Sequence, residues 1–193
     1  GTEAFEAALF DIGGFWVGTV GGLFRLALND AQAMPEMISL PITLTESLST
    51  TTPLTITALT LAVDGLWAGT NNGAAHWNGK AWDTIFDGTG NLASPDVRAI
   101  DVDDHGHIWF ATAVGAAKWD PGRYTWQHFS TQSDFMSSDS IQALLIDTQG
   151  TAWLGTDHGI IGNDDAWTLL NFDTTYQYQT LAGNYVYAIS FDS

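Results

Sequence analysis

The chain lacks cysteine altogether and is poor in basic side chains. Its 193 residues include five lysines and arginines against 22 aspartates and glutamates, a formal net charge of −17. Without thiols there can be no disulfide, no thiolate metal ligand and no cysteine nucleophile. The five basic residues are scattered and form no stripe of the kind that neutralises phosphates. We therefore expect no nucleic-acid partner and no anionic lipid partner.

Long uninterrupted apolar runs are also missing. The most apolar stretch, residues 4–28, is broken by Glu6, Asp11, Arg25 and five glycines, which argues against a membrane-spanning helix and predicts no membrane insertion. The chain begins at Gly1 without a signal-peptide pattern, so we expect a processed product, an excised fragment or a part of a longer chain. A hydrophobic share of 45% with only 14% charged residues is typical of a globular chain.

What the chain does contain is an internal repeat. The sequence Trp-x-Gly/Ala-Thr occurs four times, beginning at Trp16, Trp67, Trp109 and Trp153, at intervals of 51, 42 and 44 residues. A glycine follows each tryptophan six residues later. An apolar segment precedes each copy and recurs a fifth time at residues 186–192. The chain thus has five leading segments and four Trp segments.

Each repeat unit predicts four short strands. The leading segment is the first strand, an Asp/Gly turn follows, and the Trp segment is the second strand. A Thr-x-x-Gly reversal leads into the third strand, and a fourth carries another aromatic residue: Trp82, Trp126 or Trp167. No stretch has a sustained helical period. Four-stranded units with regular glycine and aromatic positions predict an all-β fold, a β-propeller.

We expect one propeller region over residues 1–193. The predicted four-stranded blades cover residues 4–53, 54–95, 96–139 and 140–183, and residues 184–193 give the first strand of a fifth blade. Residues 34–53 lengthen the first blade, either as an irregular fourth strand or as a long loop. A surplus apolar strand is costly to leave in water. It should therefore pair with chain beyond Ser193 or with another copy, and we favour a portion of a larger propeller.

The pattern Asp-x-x-Gly-x-x-Trp-x-Gly-Thr-x-x-Gly, which spans Asp147 to Gly159, resembles the two-component regulator propeller repeat. The resemblance covers nearly the whole chain except an insertion around residues 31–53. It implies a multi-bladed propeller from the sensor region of a hybrid histidine kinase, in a periplasmic or otherwise extracytoplasmic location. It also implies a small-molecule or glycan ligand. The surplus strand, in turn, predicts a protein partner or further chain that completes the ring. The chain departs from the family in having fewer than the usual seven blades and no kinase segment.

Candidate ligand-binding residues are those that vary while their scaffold repeats. The repeated tryptophans should pack between blades, and the repeated threonines and glycines should shape turns. The Thr-x-x-Gly reversals lie on the face of a propeller that also holds the connections between blades. We therefore predict Asn71, Asn72, Asp157 and His158 as the ligand-binding residues, with plain solvent exposure as the alternative interpretation.

Catalytic, cofactor and metal sites are not predicted. His105 and His107 flank Gly106, but no third zinc-ligand pattern accompanies them. The aspartates at 101, 103 and 104 lack the distal glutamate of a calcium loop, and Asp before Gly is ordinary turn chemistry. The chain has no nucleophile elbow, no His-Glu-x-x-His and no Walker loop.

The predicted function is a non-enzymatic, extracytoplasmic ligand-binding or sensory module, with a glycan as one candidate ligand. One alternative is a structural or assembly scaffold. A second is a propeller lyase or glycan-cleaving enzyme, in which His158 with Asp157 is the one local pairing that would serve.

Overall fold

Sixteen strands follow one another in the computed structural model, which describes residues 5–11, 13–20, 22–28, 34–41, 53–86, 91–132, 136–163, 167–170 and 185–190. The first sheet contains β1 (Phe5–Asp11), β2 (Gly14–Thr19), β3 (Gly22–Ala27) and β4 (Glu36–Ile38). The second contains β5 (Ile56–Ala62), β6 (Gly65–Thr70), β7 (Gly73–Trp77) and β8 (Trp82–Phe86). The third contains β9 (Val97–Val102), β10 (Ile108–Thr112), β11 (Gly115–Asp120) and β12 (Thr125–Phe129). The fourth contains β13 (Ile141–Ile146), β14 (Ala152–Thr156), β15 (Gly159–Asn163) and β16 (Trp167–Leu170).

Each sheet is an antiparallel meander in which strands pair in chain order. Sequential antiparallel strands need only short turns, which the Asp/Gly and Thr-x-x-Gly segments supply. The predicted all-β propeller with four four-stranded blades is confirmed. Among the described residues, no helix has the length and apolarity needed to cross a bilayer.

The insertion in the first blade supplies its fourth strand. Glu36–Ile38 pairs with β3 through Arg25↔Glu36 and Leu23↔Ile38, so the first of the two expected alternatives holds for this part. The Trp82 Nε1–H donates to the Ser39 carbonyl at 2.7 Å, which ties the segment to the second blade. Residues 42–52 of the insertion lie outside the described residues.

The blades pack face to face through their repeated aromatic residues. Trp67 stacks on Phe86 of its own blade at 5.7 Å and meets Phe110 of the next blade edge-on, also at 5.7 Å. Trp16, Trp67 and Trp109 are at most 5% exposed, and Trp153 is half-buried. A buried indole removes on the order of 200 Å² from water. The expectation that the repeated tryptophans form the core between blades is confirmed for the first three.

The second strand of one blade comes close to the leading segment of the next blade at the glycine of the Trp segment. A Cβ added to Gly69 would lie 2.8 Å from Val97 Cγ1, the first residue of the next leading strand. Only a residue without a side chain fits at that separation. Gly155 has the same relation to Val186, whose N–H donates to the Thr156 carbonyl at 2.9 Å. Residues 185–190 therefore begin as a next leading segment would, although they form no strand here.

A β-bulge recurs near the start of every leading strand. The register shifts once in each first-to-second strand pair, between Ile56 and Ala58 in the second blade and between Ile141 and Ala143 in the fourth. A bulge leaves one residue out of the ladder and redirects its side chain. Arg98 is the residue left out of the ladder in the third blade. Its side chain donates to Ser140 Oγ and to the Ile141 carbonyl, both at 3.3 Å. The bulge thus links neighbouring leading strands.

Replacing Trp109 with alanine should destabilise the chain by about 3–5 kcal/mol, because the change opens a cavity between the third and fourth blades. Trp109 is 4% exposed and stacks on Phe129 at 5.2 Å. The control is Val63→Ala in a turn where the side chain is fully exposed, for which the expected change is within about 0.5 kcal/mol. Urea unfolding measures both. Equal unfolding midpoints for the two variants would show that Trp109 is not a core residue.

Candidate functional site

The turns of the blades divide between two opposite faces. Each Thr-x-x-Gly reversal lies beside the segments that connect blades: Asn71 N–H donates to the Thr55 carbonyl at 3.2 Å, and Gly73 N–H to the Pro95 carbonyl at 2.6 Å. We call this the connection face. The Asp-rich turns between first and second strands lie at the other ends of the strands, on what we call the turn face. The expected grouping of reversals with blade connections is confirmed.

One scaffold builds all four reversals of the connection face. Thr70 Oγ1 donates to the Gly73 carbonyl at 2.9 Å and accepts the Asn72 N–H at 3.0 Å. Gly73 has a φ of 117°, in the region that L side chains rarely adopt. The threonine-to-glycine bond recurs at Thr19, Thr112 and Thr156. In the described part of these reversals, the residues between Thr and Gly are therefore held in place while their side chains differ.

The asparagine pair of the second blade lies within this scaffold. Asn71 Oδ1 accepts the Thr55 N–H at 3.0 Å, and its Nδ2 donates to the Pro53 carbonyl at 2.9 Å. Asn71 is half-buried and Asn72 is 8% exposed. The Asn71 side chain thus helps to hold the segment that leads into its own blade, and Asn72 is buried beside it. The predicted role of both residues toward a ligand remains a prediction.

The aspartate–histidine pair of the fourth blade faces solvent. His158 Nδ1 lies 2.8 Å from Asp157 Oδ1, and the His158 side chain is 64% exposed. Hydrogen bonds from the Ser138 hydroxyl and from His158 lower the pKa of Asp157 below its usual 3.8. Asp157 is therefore ionised at neutral pH, and the Nε2 of His158 is left for an external group. The structure brings these two predicted residues together.

The turn face contains an interaction that the sequence analysis missed. In three blades the repeated tryptophan donates its indole N–H to the Oδ2 atom of an aspartate that ends the leading strand or follows it. These pairs are Trp16–Asp11 (2.7 Å), Trp109–Asp103 (3.1 Å) and Trp153–Asp147 (2.8 Å). The other oxygen of Asp147 accepts the N–H groups of Gln149 and Thr151. The constant Asp-to-Trp spacing in the third and fourth blades was the available signal.

In the first three blades a basic or aromatic side chain lies across from the tryptophan in the next strand, whereas in the fourth blade Trp153 pairs with Gly162. Arg25 pairs with Trp16 and stands over its ring at 5.3 Å, and Lys118 stands over Trp109 at 4.9 Å. Lys118 Nζ also lies 3.2 Å from Asp103 Oδ2. Burial alone would raise the pKa of Asp103, but hydrogen bonds from His107 and Trp109 and the charge of Lys118 lower it to about 2.

The second blade departs from this arrangement. Ala62 stands where Asp11 stands in the first blade, since Ala62 pairs with Gly65 as Asp11 pairs with Gly14. Among the described residues, Trp67 Nε1 and the Nε2 of His76 are buried without a hydrogen-bond partner. His76 Nδ1 is bound by Asp83 at 2.7 Å, and Asp64 Oδ1 lies 3.5 Å from its Nε2. An indole donor left unpaired in this way costs stability.

Residues 136–158, which contain β13 and β14, match the family model described as two component regulator propeller. The resemblance expected from the repeat pattern is confirmed for that part of the chain. No curated protein sequence matches the chain significantly.

Solved structures share the fold. The extracellular domain of a hybrid two-component system from B. thetaiotaomicron is similar over 88% of this chain, at 18% identity and a TM-score of 0.69. That of a one-component system from the same organism is similar over 96%, at 16% identity and a TM-score of 0.71. Virginiamycin B lyase from Staphylococcus aureus, in a catalytically inactive form with quinupristin, is similar over 90%, at 12% identity and a TM-score of 0.67. The chain spans 23% of each of the first two and 57% of the lyase.

Replacing Ala62 with aspartate should stabilise the chain by about 1 kcal/mol, because the carboxylate would accept the unpaired indole N–H of Trp67 as in the other blades. Equilibrium urea unfolding gives the free energy. The same substitution in a Trp67→Phe background is the control, since phenylalanine has no N–H to donate. An equal gain in both backgrounds would mean that the stabilisation has another source.

The bond between Asp147 and Trp153 should make stability depend on pH in the acid range. The hydrogen bond from Trp153 lowers the pKa of Asp147 below 3.8 in the folded chain. Its contribution is therefore complete above about pH 4 and is lost as the pH falls through the folded pKa. Compared with the wild type, Asp147→Asn should unfold more easily at pH 7, with a difference that shrinks below pH 4. Thermal unfolding across this range tests it, and a difference independent of pH contradicts it.

Proposed function

We propose that the chain is a ligand-binding part of an extracytoplasmic sensory propeller, that it is not an enzyme, and that its ligand binds on the connection face. The observation that supports this is the uniform scaffold of the four reversals. Within it, the described side chains differ from blade to blade, and the fourth blade presents the exposed His158 beside the half-buried Asp157. Loop residues on a rigid scaffold are common binding positions.

The extracytoplasmic location is supported by the fold comparisons. Two of the similar structures are extracellular domains of a hybrid two-component and a one-component system. The match of residues 136–158 to the regulator propeller family points in the same direction. Because this chain spans less than a quarter of those two chains, their signalling activity is part of the proposal.

The charge of the chain restricts the ligand. A net charge of −17 repels polyanions such as sulfated or uronic-acid glycans. The ionised Asp157 carboxylate accepts hydrogen bonds, and the exposed His158 nitrogen can donate or accept one. Adjacent hydroxyl groups of a neutral sugar match this pair. A neutral oligosaccharide is therefore the proposed ligand class, and Asn71 and Asn72 support the adjoining part of the connection face.

A lyase is the second candidate, and the same pair favours it. A carboxylate on the Nδ1 of an exposed imidazole is a suitable arrangement for a general base. The virginiamycin B lyase of similar fold is catalytically inactive when a histidine is replaced by alanine. A reaction would also need a proton donor for the leaving group, and the described residues place no further titratable group in contact with this pair.

The experiment is a binding screen of the purified chain against an array of neutral and acidic oligosaccharides, followed by calorimetry with the best neutral binder. The double variant Asp157→Ala/His158→Ala should bind at least about tenfold more weakly, a loss of about 1.4 kcal/mol. Val114→Ala is the matched control, since Val114 is 55% exposed on the equivalent reversal of the third blade, and it should bind like the wild type.

Three results would contradict the proposal. Preference for acidic oligosaccharides would overturn the charge argument. Unchanged binding by the double variant would remove the site from the fourth reversal. Cleavage products detected by mass spectrometry after incubation would favour the lyase over the sensor.

A further inference from the structure

The first turn of the third blade collects histidines and carboxylates on the turn face. One donor atom from each of Asp103, His105 and His107 lies within 4.8 Å of the other two. Gly106 between the histidines has a φ of 79°, and this turn stacks the two imidazole rings 5.8 Å apart and 15° from parallel. From this cluster we infer that Asp103, His105 and His107 bind a divalent transition-metal ion of the zinc class.

The proposed ion would lie between the His107 imidazole and the Asp103 carboxylate. His107 Nδ1 lies 2.9 Å from Asp103 Oδ2, close to the roughly 3.3 Å that separates two ligand atoms of a tetrahedral zinc ion with bonds of about 2.0–2.1 Å. Asp103 is held in position by Trp109 and by the N–H groups of His105 and His107. A small relaxation of the imidazole therefore makes room for the metal.

An outer carboxylate lies near the second nitrogen of each imidazole. Asp120 Oδ2 lies 3.6 Å from the Nε2 of His107, and Asp104 Oδ1 lies 2.5 Å from the Nδ1 of His105. In protein metal sites, a ligating histidine usually donates its second nitrogen to such a group. The arrangement leaves the Nδ1 of His107 and the Nε2 of His105 for the ion. His105 is 74% exposed, which gives the ion access and the ring freedom to adjust.

Two basic side chains compete with the ion. Lys118 Nζ lies 3.2 Å from Asp103 Oδ2, and Arg123 Nη1 lies 3.1 Å from Asp120 Oδ2. A bound cation takes over the charge-neutralising role of Lys118 at Asp103. Removing the lysine charge should therefore strengthen metal binding, whereas a purely structural cluster would only lose a stabilising contact.

The donor set determines the class of metal. Imidazole nitrogens with one carboxylate suit zinc, copper and nickel, whereas calcium and magnesium prefer all-oxygen sites. Because Asp120 is the last residue of β11, the ion also links the first turn of the blade to the end of its third strand through the His107 ring. Selective binding to the folded chain should raise its unfolding temperature.

Isothermal titration of the purified chain with zinc chloride, in a buffer that does not chelate metals, tests the inference. The wild type should bind one ion per chain, and calcium chloride should give no saturable heat. His105→Ala should weaken zinc binding at least about tenfold, and its exposed position keeps the fold intact. Asp120→Asn should weaken binding by about tenfold through His107. Lys118→Met, which retains the packing on Trp109, should bind more tightly.

His128→Ala is the matched control, since His128 is an exposed histidine of the same blade whose Nε2 is bonded to the Asn91 carbonyl. It should bind zinc like the wild type. A zinc-induced rise in melting temperature that His105→Ala abolishes is the second supporting readout. The inference is overturned if the wild type shows no saturable zinc binding, if His105→Ala or Lys118→Met leaves the affinity unchanged, or if calcium binds equally well.

Discussion

Burial of an indole ring between two sheets is the interaction on which this molecule depends. Each ring contributes a large apolar area, but it also carries one N–H that water can no longer reach. In three blades an aspartate near the end of the leading strand accepts that N–H. The aspartate must be ionised and fixed, and the backbone N–H groups of the following turn fix it. Core packing, turn shape and carboxylate charge therefore depend on one another, because all three are needed to bury the indole with its N–H hydrogen-bonded.

The second blade buries its indole ring without such an aspartate. Without the aspartate, the space beside Trp67 is closed by the His76 ring, at 5.0 Å between centroids. Asp83 holds His76 from the outer strand. The blade retains the aromatic packing while its indole donor goes unpaired. Apolar contact between neighbouring sheets is thus sufficient to build a blade, and a hydrogen-bond acceptor for the indole adds to its stability.

The fold could be predicted from the sequence because the repeat is periodic in chemistry as well as in spacing. Trp, Gly and Thr recur at fixed offsets, so a single strand–turn–strand interpretation serves four times. The candidate site was harder to predict from the sequence, because its residues are defined by contacts between distant segments. Asn72 looks like an exposed turn residue, yet it is buried in a reversal whose neighbouring residues, Asn71 and Gly73, bind the segments that connect blades. Similarly, the spacing of His105 and His107 did not predict that the Asp103 carboxylate would lie near their imidazole nitrogens. An aspartate ahead of a glycine is common in turns, so Asp103 was interpreted as a turn residue.

A glycine of one blade contacts the first apolar residue of the next blade, and we call this contact a joint. Gly18, Gly69 and Gly155 receive Ile56, Val97 and Val186 in the same way, so these joints do not distinguish one neighbour from another. At the level of this contact the blades are interchangeable, whereas the Trp82–Ser39 and Arg98–Ser140 hydrogen bonds each belong to a single boundary. The third blade differs, because Ala111 occupies the glycine position at its joint with Ile141. In a chain of otherwise equivalent joints, that methyl group gives the third and fourth blades a boundary with its own steric identity.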